Sequence, residues 1–336
     1  MLHLRIIAPA DLSDAVLTFV SDAAGVTHIT ARRGDAIEPP GDLIECDVTR
    51  EAANDVLSQL KSLDIEKRGA ITMEPLDTVL SAAAIKAEKA VPGDPADAVV
   101  WEELTNRSRE ESTLSGAFVC FLTIACMLAA VGVITNSPIT VVGAMVVGPE
   151  FGPLAAIAVA ITLRRPRLAL RSLLAIVIGF PVAMAVTGVF AWVGQGVGWF
   201  SINDVLDAHE VDFIYQVGPF SVVVALLAGA AGMLSMISAK SAALVGVFIS
   251  VTTVPAAGYA VVAAILGQWG RAGQSLGQLV VNLVSIVVAG VALLTVYRLW
   301  QRRHPQPDRR RVYRSGEFSA PVRIGRERGH WDWVRW

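Results

Sequence analysis

Val142-Gly143-Ala144-Met145-Val146-Val147-Gly148-Pro149-Glu150-Phe151-Gly152-Pro153 sets two Gly-Pro steps and a carboxylate in the middle of an apolar run that extends from about 138 to 163. Each proline removes a backbone donor and disfavours helical geometry at the residue before it. A regular helix is therefore not expected through this stretch. The carbonyls it frees must face protein, water or a solute, because lipid cannot satisfy them.

Outward from this stretch lie five more apolar runs, at about 115–134, 168–193, 219–238, 241–267 and 274–300. Each can supply the roughly 20 helical residues that cross a hydrocarbon core. The longer ones must tilt, kink or hold an irregular middle. A chain that is 54% hydrophobic and 17% charged belongs to the same class, and an ordinary soluble globule is excluded. The expected fold is an α-helical polytopic membrane protein with six spans.

The fifth run carries a matching interruption, Ser250-Val251-Thr252-Thr253-Val254-Pro255-Ala256-Ala257-Gly258. Val142-Gly143 recurs as Val245-Gly246 at an offset of 103, and Pro153 and Pro255 stand 102 apart. Ala158-Val159-Ala160-Ile161 likewise matches Val262-Ala263-Ala264-Ile265. The chain thus reads as two halves of three spans, with the second and fifth helices broken. Three is odd, so the second half enters from the opposite side and the halves form an inverted repeat. Such repeats place a solute site near the midplane, between discontinuous helices.

Glu150 is the single acidic residue inside any run. An ionised carboxylate at that depth costs roughly 3 kcal/mol on insertion scales, so it must be paired, protonated or turned toward a polar cavity. The candidate translocation or coupling site is Glu150 with its flanking Gly148, Pro149, Gly152 and Pro153, joined by Thr252, Thr253, Pro255, Gln278 and Asn282. A structural role for Glu150, satisfying the broken backbone of its own loop, is the plainer alternative. Asn136 and Ser137 before Pro138 read as a helix cap. None of the five histidines lies in a run, and HExxH, metal-ligand spacings and phosphate-binding glycine motifs are missing. The sequence therefore predicts no enzyme, no cofactor, no metal and no nucleic-acid partner. The partners expected are the bilayer and a small solute or ion, with homo-oligomerisation open.

The N-terminal third is different in kind. Residues 2–8, 26–32, 43–48 and 70–73 read as strands around amphipathic helices at 11–22 and 51–63, with Leu12, Val16, Phe19, Val20, Val56, Leu57 and Leu60 inward. Strand, helix, strand, strand, helix, strand is the ferredoxin-like α+β order. A polar connector with Pro92, Gly93 and Pro95 follows, and then a helix from Ala96 to about Ser112 whose Val99, Val100, Trp101 and Leu104 pack on that domain or lie at the membrane surface. The domains read as 1–76, ferredoxin-like; 77–113, a linker with a helical end; 114–300, the six-span region; and 301–336, a basic tail without fixed structure.

Charge sets the orientation. Residues 1–113 hold 11 Lys and Arg against 21 Asp and Glu, residues 301–336 hold 10 against 4, and the rest 7 against 5. Arg107, Arg109, Arg164, Arg165, Arg167, Arg171 and the tail belong inside, and Lys240 with them. The acidic 194–218 loop, with Asp204, Asp207, Glu210 and Asp212, falls outside, and Arg271 alone dissents. Both ends are then cytoplasmic. No secretory signal opens the chain, and three cysteines form no disulfide framework. Arg309 to Arg311 and the Trp331-Asp332-Trp333-Val334-Arg335-Trp336 end suit anionic lipid.

Thr135-Asn136-Ser137-Pro138, Val142-Gly143-Ala144-Met145, Pro149, Gly152-Pro153 and the arginine-rich turn to Arg171 resemble the hydrophobic prokaryotic membrane proteins called domain of unknown function 389. The resemblance covers about residues 100–300 and implies a polytopic bacterial or archaeal membrane protein, without an activity. It also implies that many relatives carry an apolar residue where Glu150 stands. The residues themselves favour a secondary transporter or channel, with the N-terminal domain as its candidate regulator. The competing class is a membrane-anchored sensor or scaffold without transport.

Overall fold

Leu2, Leu4, Ile6 and Ala8 alternate with polar neighbours, and that period of two makes β1 (Leu2–Ala8) a strand with one buried face. In the computed structural model, which describes residues 1–93, 98–201, 218–237 and 253–303, β1 is central. It pairs antiparallel with β3 (Gly41–Val48) and with β4 (Ala70–Pro75), and β2 (Val26–Ala36) pairs with β3, giving the order β2-β3-β1-β4. Helices α1 (Ser13–Asp22) and α2 (Arg50–Ser62) and the short α3 (Ile65–Arg68) close the buried face. Val16, Val20, Val56, Leu57, Leu60 and Ile65 share one core with Leu4, Ile6, Ile44 and Val48.

Two features of the connector differ from the sequence expectation. A helix not foreseen, α4 (Ala82–Lys89), starts at Ser81, whose hydroxyl accepts from the N–H of Ala83 and Ala84, and its Ala84 and Ala87 are buried. The next helix, α5 (Trp101–Glu111), begins later than Ala96. Val100 is extended and sits in the sheet core, while Asn54 brackets the bend: its Nδ2 donates to the Val99 carbonyl at 2.6 Å and its Oδ1 accepts from the Trp101 N–H at 3.0 Å. Burial of the β-branched Val100 in extended form outweighs the helical preference of the acidic run.

The apolar runs form helices. They are α6 (Gly116–Ile134), α7 (Pro138–Val147), α8 (Phe151–Thr162), α9 (Pro166–Val197), α10 (Pro219–Ile237), α11 (Val254–Ile265) and α12 (Trp269–Arg303). Ser137 is the cap of α7, accepting from the Thr140 N–H, while Asn136 takes the left-handed turn before it. Among the described residues four helices are long and apolar enough to cross a membrane, or five when the α7–α8 pair, bent by 53°, is taken as one span. Their outer surface exposes Phe121, Val142, Val177, Val189, Leu227 and Val280. An apolar surface of that extent belongs against lipid. The 241–252 half of the fifth run, the acidic loop over 202–217, the turn at Lys240 and the basic tail from 304 onward lie outside the described residues.

The helix boundaries recur at one spacing. α6 and α10, α8 and α11, and α9 and α12 each begin 103 residues apart. The turn after the shorter helix recurs as well: the Arg165 N–H donates to Ala160 and the Gln268 N–H to Ala263, both at 2.8 Å, with left-handed backbone at Arg164 and at Gly267.

Close helix crossings set the packing. A Cβ on Gly258 of α11 would stand 2.8 Å from Ala129 Cβ, 2.9 Å from the Ala130 nitrogen and 3.0 Å from the Cys126 carbonyl of α6, whereas one on Gly143 meets nothing within 4 Å. Gly258→Val is expected to lower stability by about 1–3 kcal/mol, because backbone cannot give way. Gly143→Ala should leave it unchanged or raise it by up to about 1 kcal/mol. Thermal unfolding of the two variants in the same detergent checks both.

Candidate functional site

Gly148 closes α7 in extended geometry, Pro149 follows, and Glu150 stands at the N-cap of α8. Pro153 falls in the first turn of α8, where a missing N–H costs no intrahelical bond. The start of α11 repeats this logic, with Thr253 at its N-cap and Pro255 in its first turn. The sequence thus makes two short helices of 12 residues, each started by a residue with a polar side chain and a proline just behind it.

These two starts meet. Glu150 and Thr253 are both fully buried, and the Thr253 hydroxyl donates to Glu150 Oε1 at 2.6 Å across 103 residues of chain. A helix N-terminus carries partial positive charge, so a carboxylate at two such ends sits where the protein substitutes for water.

A second polar group lies on α12. Gln278 and Asn282 are buried and bonded, Nε2 to Oδ1 at 3.2 Å, and Gln278 Oε1 accepts from Ser221 of α10 at 3.3 Å. Ser275, one turn before Gln278, donates to the carbonyl of Ala256, one turn after Thr253, at 2.7 Å. Both groups therefore border the α11–α12 seam. Of the expected site residues the structure joins Glu150 to Thr253 and Gln278 to Asn282, and Thr252 lies outside the described residues. Sequence reading missed Ser221, Ser275 and Ser285. The signal was present as Ser275, Gln278, Asn282 and Ser285 at helical spacing, all buried on one face of α12.

The site is tied to the N-terminal sheet through α5. Arg50 Nη2 bonds Glu103 at 2.8 Å, and Lys61 Nζ bonds Glu102 at 2.6 Å. Glu102 also reaches Arg165, before α9, at 3.5 Å. At its far end α5 lies on Gly152, two residues from Glu150. A Cβ there would stand 2.8 Å from Glu111 Cβ and 2.9 Å from the Glu111 carbonyl oxygen. Leu104 of α5 packs with Ala155, Ala158 and Val159 of α8.

A further polar cluster sits on the sheet. Asp47 joins His3 Nδ1 at 2.8 Å and His28 Nδ1 at 2.7 Å, and His28 Nε2 meets the Ser81 hydroxyl at 2.7 Å. The order Ser, His, Asp is that of an activated nucleophile. Here the Ser81 oxygen already accepts the two backbone N–H groups of the α4 cap, so the arrangement fastens α4 to the sheet. His28 reaches its partners from a β-bulge with left-handed backbone, which strand patterning does not reveal.

The family described as Domain of unknown function (DUF389) matches residues 145–288, which include α8, α11 and the polar face of α12. Uncharacterized protein MJ0678 of Methanocaldococcus jannaschii is 25% identical over 212 residues, covering 61% of this chain and 63% of its own length. The chain thus spans less than two thirds of that relative. No solved structure matches it.

Gly152→Val should push α5 away from α8 while leaving the spans in place. Hydrogen exchange of the α5 amides is expected to rise at least about tenfold, as for a segment released to local opening, with α9 and α12 unchanged. Unaltered α5 protection would show that the crossing tolerates a side chain.

Proposed function

We propose, from the premise that residues 145–288 belong to the DUF389 family, that the membrane region is a secondary transporter or channel for a small solute or ion. The observation that carries this reading is the buried contact between the starts of α8 and α11, Thr253 to Glu150 at 2.6 Å. A plain membrane anchor has no need of two interrupted helices, and a carboxyl held between two half-helix ends suits a group that exchanges a proton or cation as a solute passes.

The six-span, inverted-repeat architecture belongs to the same proposal. It is supported by the constant spacing of 103 between helix starts, which is also the separation of Glu150 and Thr253, so that corresponding positions of the two halves touch. The N-terminal domain, in this reading, is ferredoxin-like, which the β2-β3-β1-β4 order supports. Its place is the cytoplasmic side of a prokaryotic inner membrane, with both termini on that side, following the arginines of the α8–α9 turn. The domain limits proposed are 1–76, 77–113, 114–300 and 301–336. Regulation would run through α5, which bonds the sheet domain by Asn54, Arg50 and Lys61 and packs on Gly152 beside the site. The same path favours a second reading, a sensor in which the membrane region relays the state of the sheet domain without moving a solute.

Flux in proteoliposomes under an imposed pH gradient, with small ions and organic solutes, decides between them. Glu150→Gln keeps volume and hydrogen bonding and removes titration. It is expected to cut pH-driven flux at least about tenfold, in the range of losing one positioned proton-transfer group. Flux with unchanged pH dependence in the variant would remove Glu150 from the mechanism, and no flux for any solute in wild type would favour the sensor.

A further inference from the structure

The turn Arg164-Arg165-Pro166-Arg167 between α8 and α9, Arg171 one turn on, and Arg109 of α5 line a groove of about 560 Å³ whose other polar side chain is Thr105. Five guanidinium groups converge there. Arg165 is shared with Glu102 at 3.5 Å, and Arg171 donates to the Thr113 hydroxyl at 2.8 Å. Among the described residues the side chains of Arg109, Arg164 and Arg167 have no hydrogen-bond or ion-pair partner. Like charges held at one concavity repel unless an anion is bound between them.

Topology alone does not account for the cluster. Retention of positive charge on one side of a membrane is served by lysine as well as arginine. Every cation lining this groove is arginine, the side chain whose planar fork matches phosphate. The backbone speaks to the same point. Arg164 adopts φ +55°, a left-handed conformation that a Cβ disfavours, and the corresponding turn 103 residues later uses glycine, Gly267 at φ +76°. The turn geometry is met more easily by glycine, yet it carries a guanidinium into the groove.

What lies beside the arginines indicates the rest of the ligand. On α9, Leu170, Leu174, Val177 and Ile178 fall on the same helical face as Arg167 and Arg171, and all four are exposed. Positive groove and exposed aliphatic strip are continuous, which fits a ligand with an anionic head and hydrocarbon tails. The volume falls in the range of small-ligand sites.

We infer that this groove binds the phosphate of an anionic phospholipid, its acyl chains lying along α9. The site borders the Lys61–Glu102–Arg165 chain, so a bound phosphate competes with Glu102 for Arg165 and makes the seating of α5 depend on lipid. The inference requires the helices to be membrane-embedded and is independent of whether a solute is transported.

The test is native mass spectrometry of the purified full chain exchanged into mixtures of phosphatidylglycerol and phosphatidylcholine, with the double variant Arg164→Gly and Arg167→Gln beside wild type. Glycine suits the Arg164 backbone and both side chains are exposed, so the variant keeps its fold, and its unfolding temperature in phosphatidylcholine should match wild type. Wild type is expected to retain phosphatidylglycerol about tenfold over phosphatidylcholine, falling to near parity in the variant. Equal retention by wild type, or an undiminished preference in the variant, overturns the inference. Displacement of the lipid by equimolar soluble glycerol phosphate would assign the groove to a free phosphate compound and overturn the lipid assignment.

Discussion

An interrupted backbone in an apolar segment must be satisfied by protein, since hydrocarbon offers no hydrogen bonds, and the rest of this molecule is arranged around that requirement. The chain breaks at Gly148-Pro149, where α8 starts anew, and α11 starts in a similar way at Val254-Pro255. Neither start is left facing lipid. Glu150 and Thr253 stand at the N-cap positions of α8 and α11 and bond to each other, so one buried contact joins the two helix starts. The Glu150 carboxyl thus lies beside the starts of both α8 and α11, where helix dipoles present positive ends.

From that contact the packing extends in two directions. Toward α12, a buried polar face made of Ser275, Gln278 and Asn282 runs along the same seam and bonds to α11 and α10. Toward the N-terminal sheet, α5 lies on Gly152 and is fixed at its other end by Asn54, Arg50 and Lys61. Packed, close-fitting elements transmit displacement instead of absorbing it. In the proposed regulation a shift of α5 reaches the first turn of α8, which is where the carboxylate stands. The proposed regulation and the proposed lipid site both act at this joint.

Much of this was legible in the sequence because the controlling features are local. Apolar runs, Gly-Pro steps and strand alternation each announce themselves within a few residues, and the offset of 103 was visible from Val142-Gly143 and Val245-Gly246. Glu150 stood out as the lone acid of the apolar runs. What escaped depends on tertiary placement. The late start of α5 follows from Val100 entering the sheet core, and α4 from the Ser81 cap. Ser81 meets His28 only because a bulge turns that strand. The arginine groove could not be seen either, since Arg109 lies far in sequence from the turn it faces. Charge counting gave those arginines a side of the membrane and no shape.

Glu150 and Thr253 act on each other across the two helix starts, and a double-mutant cycle reads that directly. Unfolding free energies of wild type, Glu150→Met, which removes the acceptor at similar side-chain length, Thr253→Val and the double variant, measured in one detergent, give the coupling between the two side chains. A buried bond from a hydroxyl to a carboxyl predicts a coupling of about 1–3 kcal/mol. Additivity to within about 0.4 kcal/mol would contradict it, because residues in contact do not behave as independent sites.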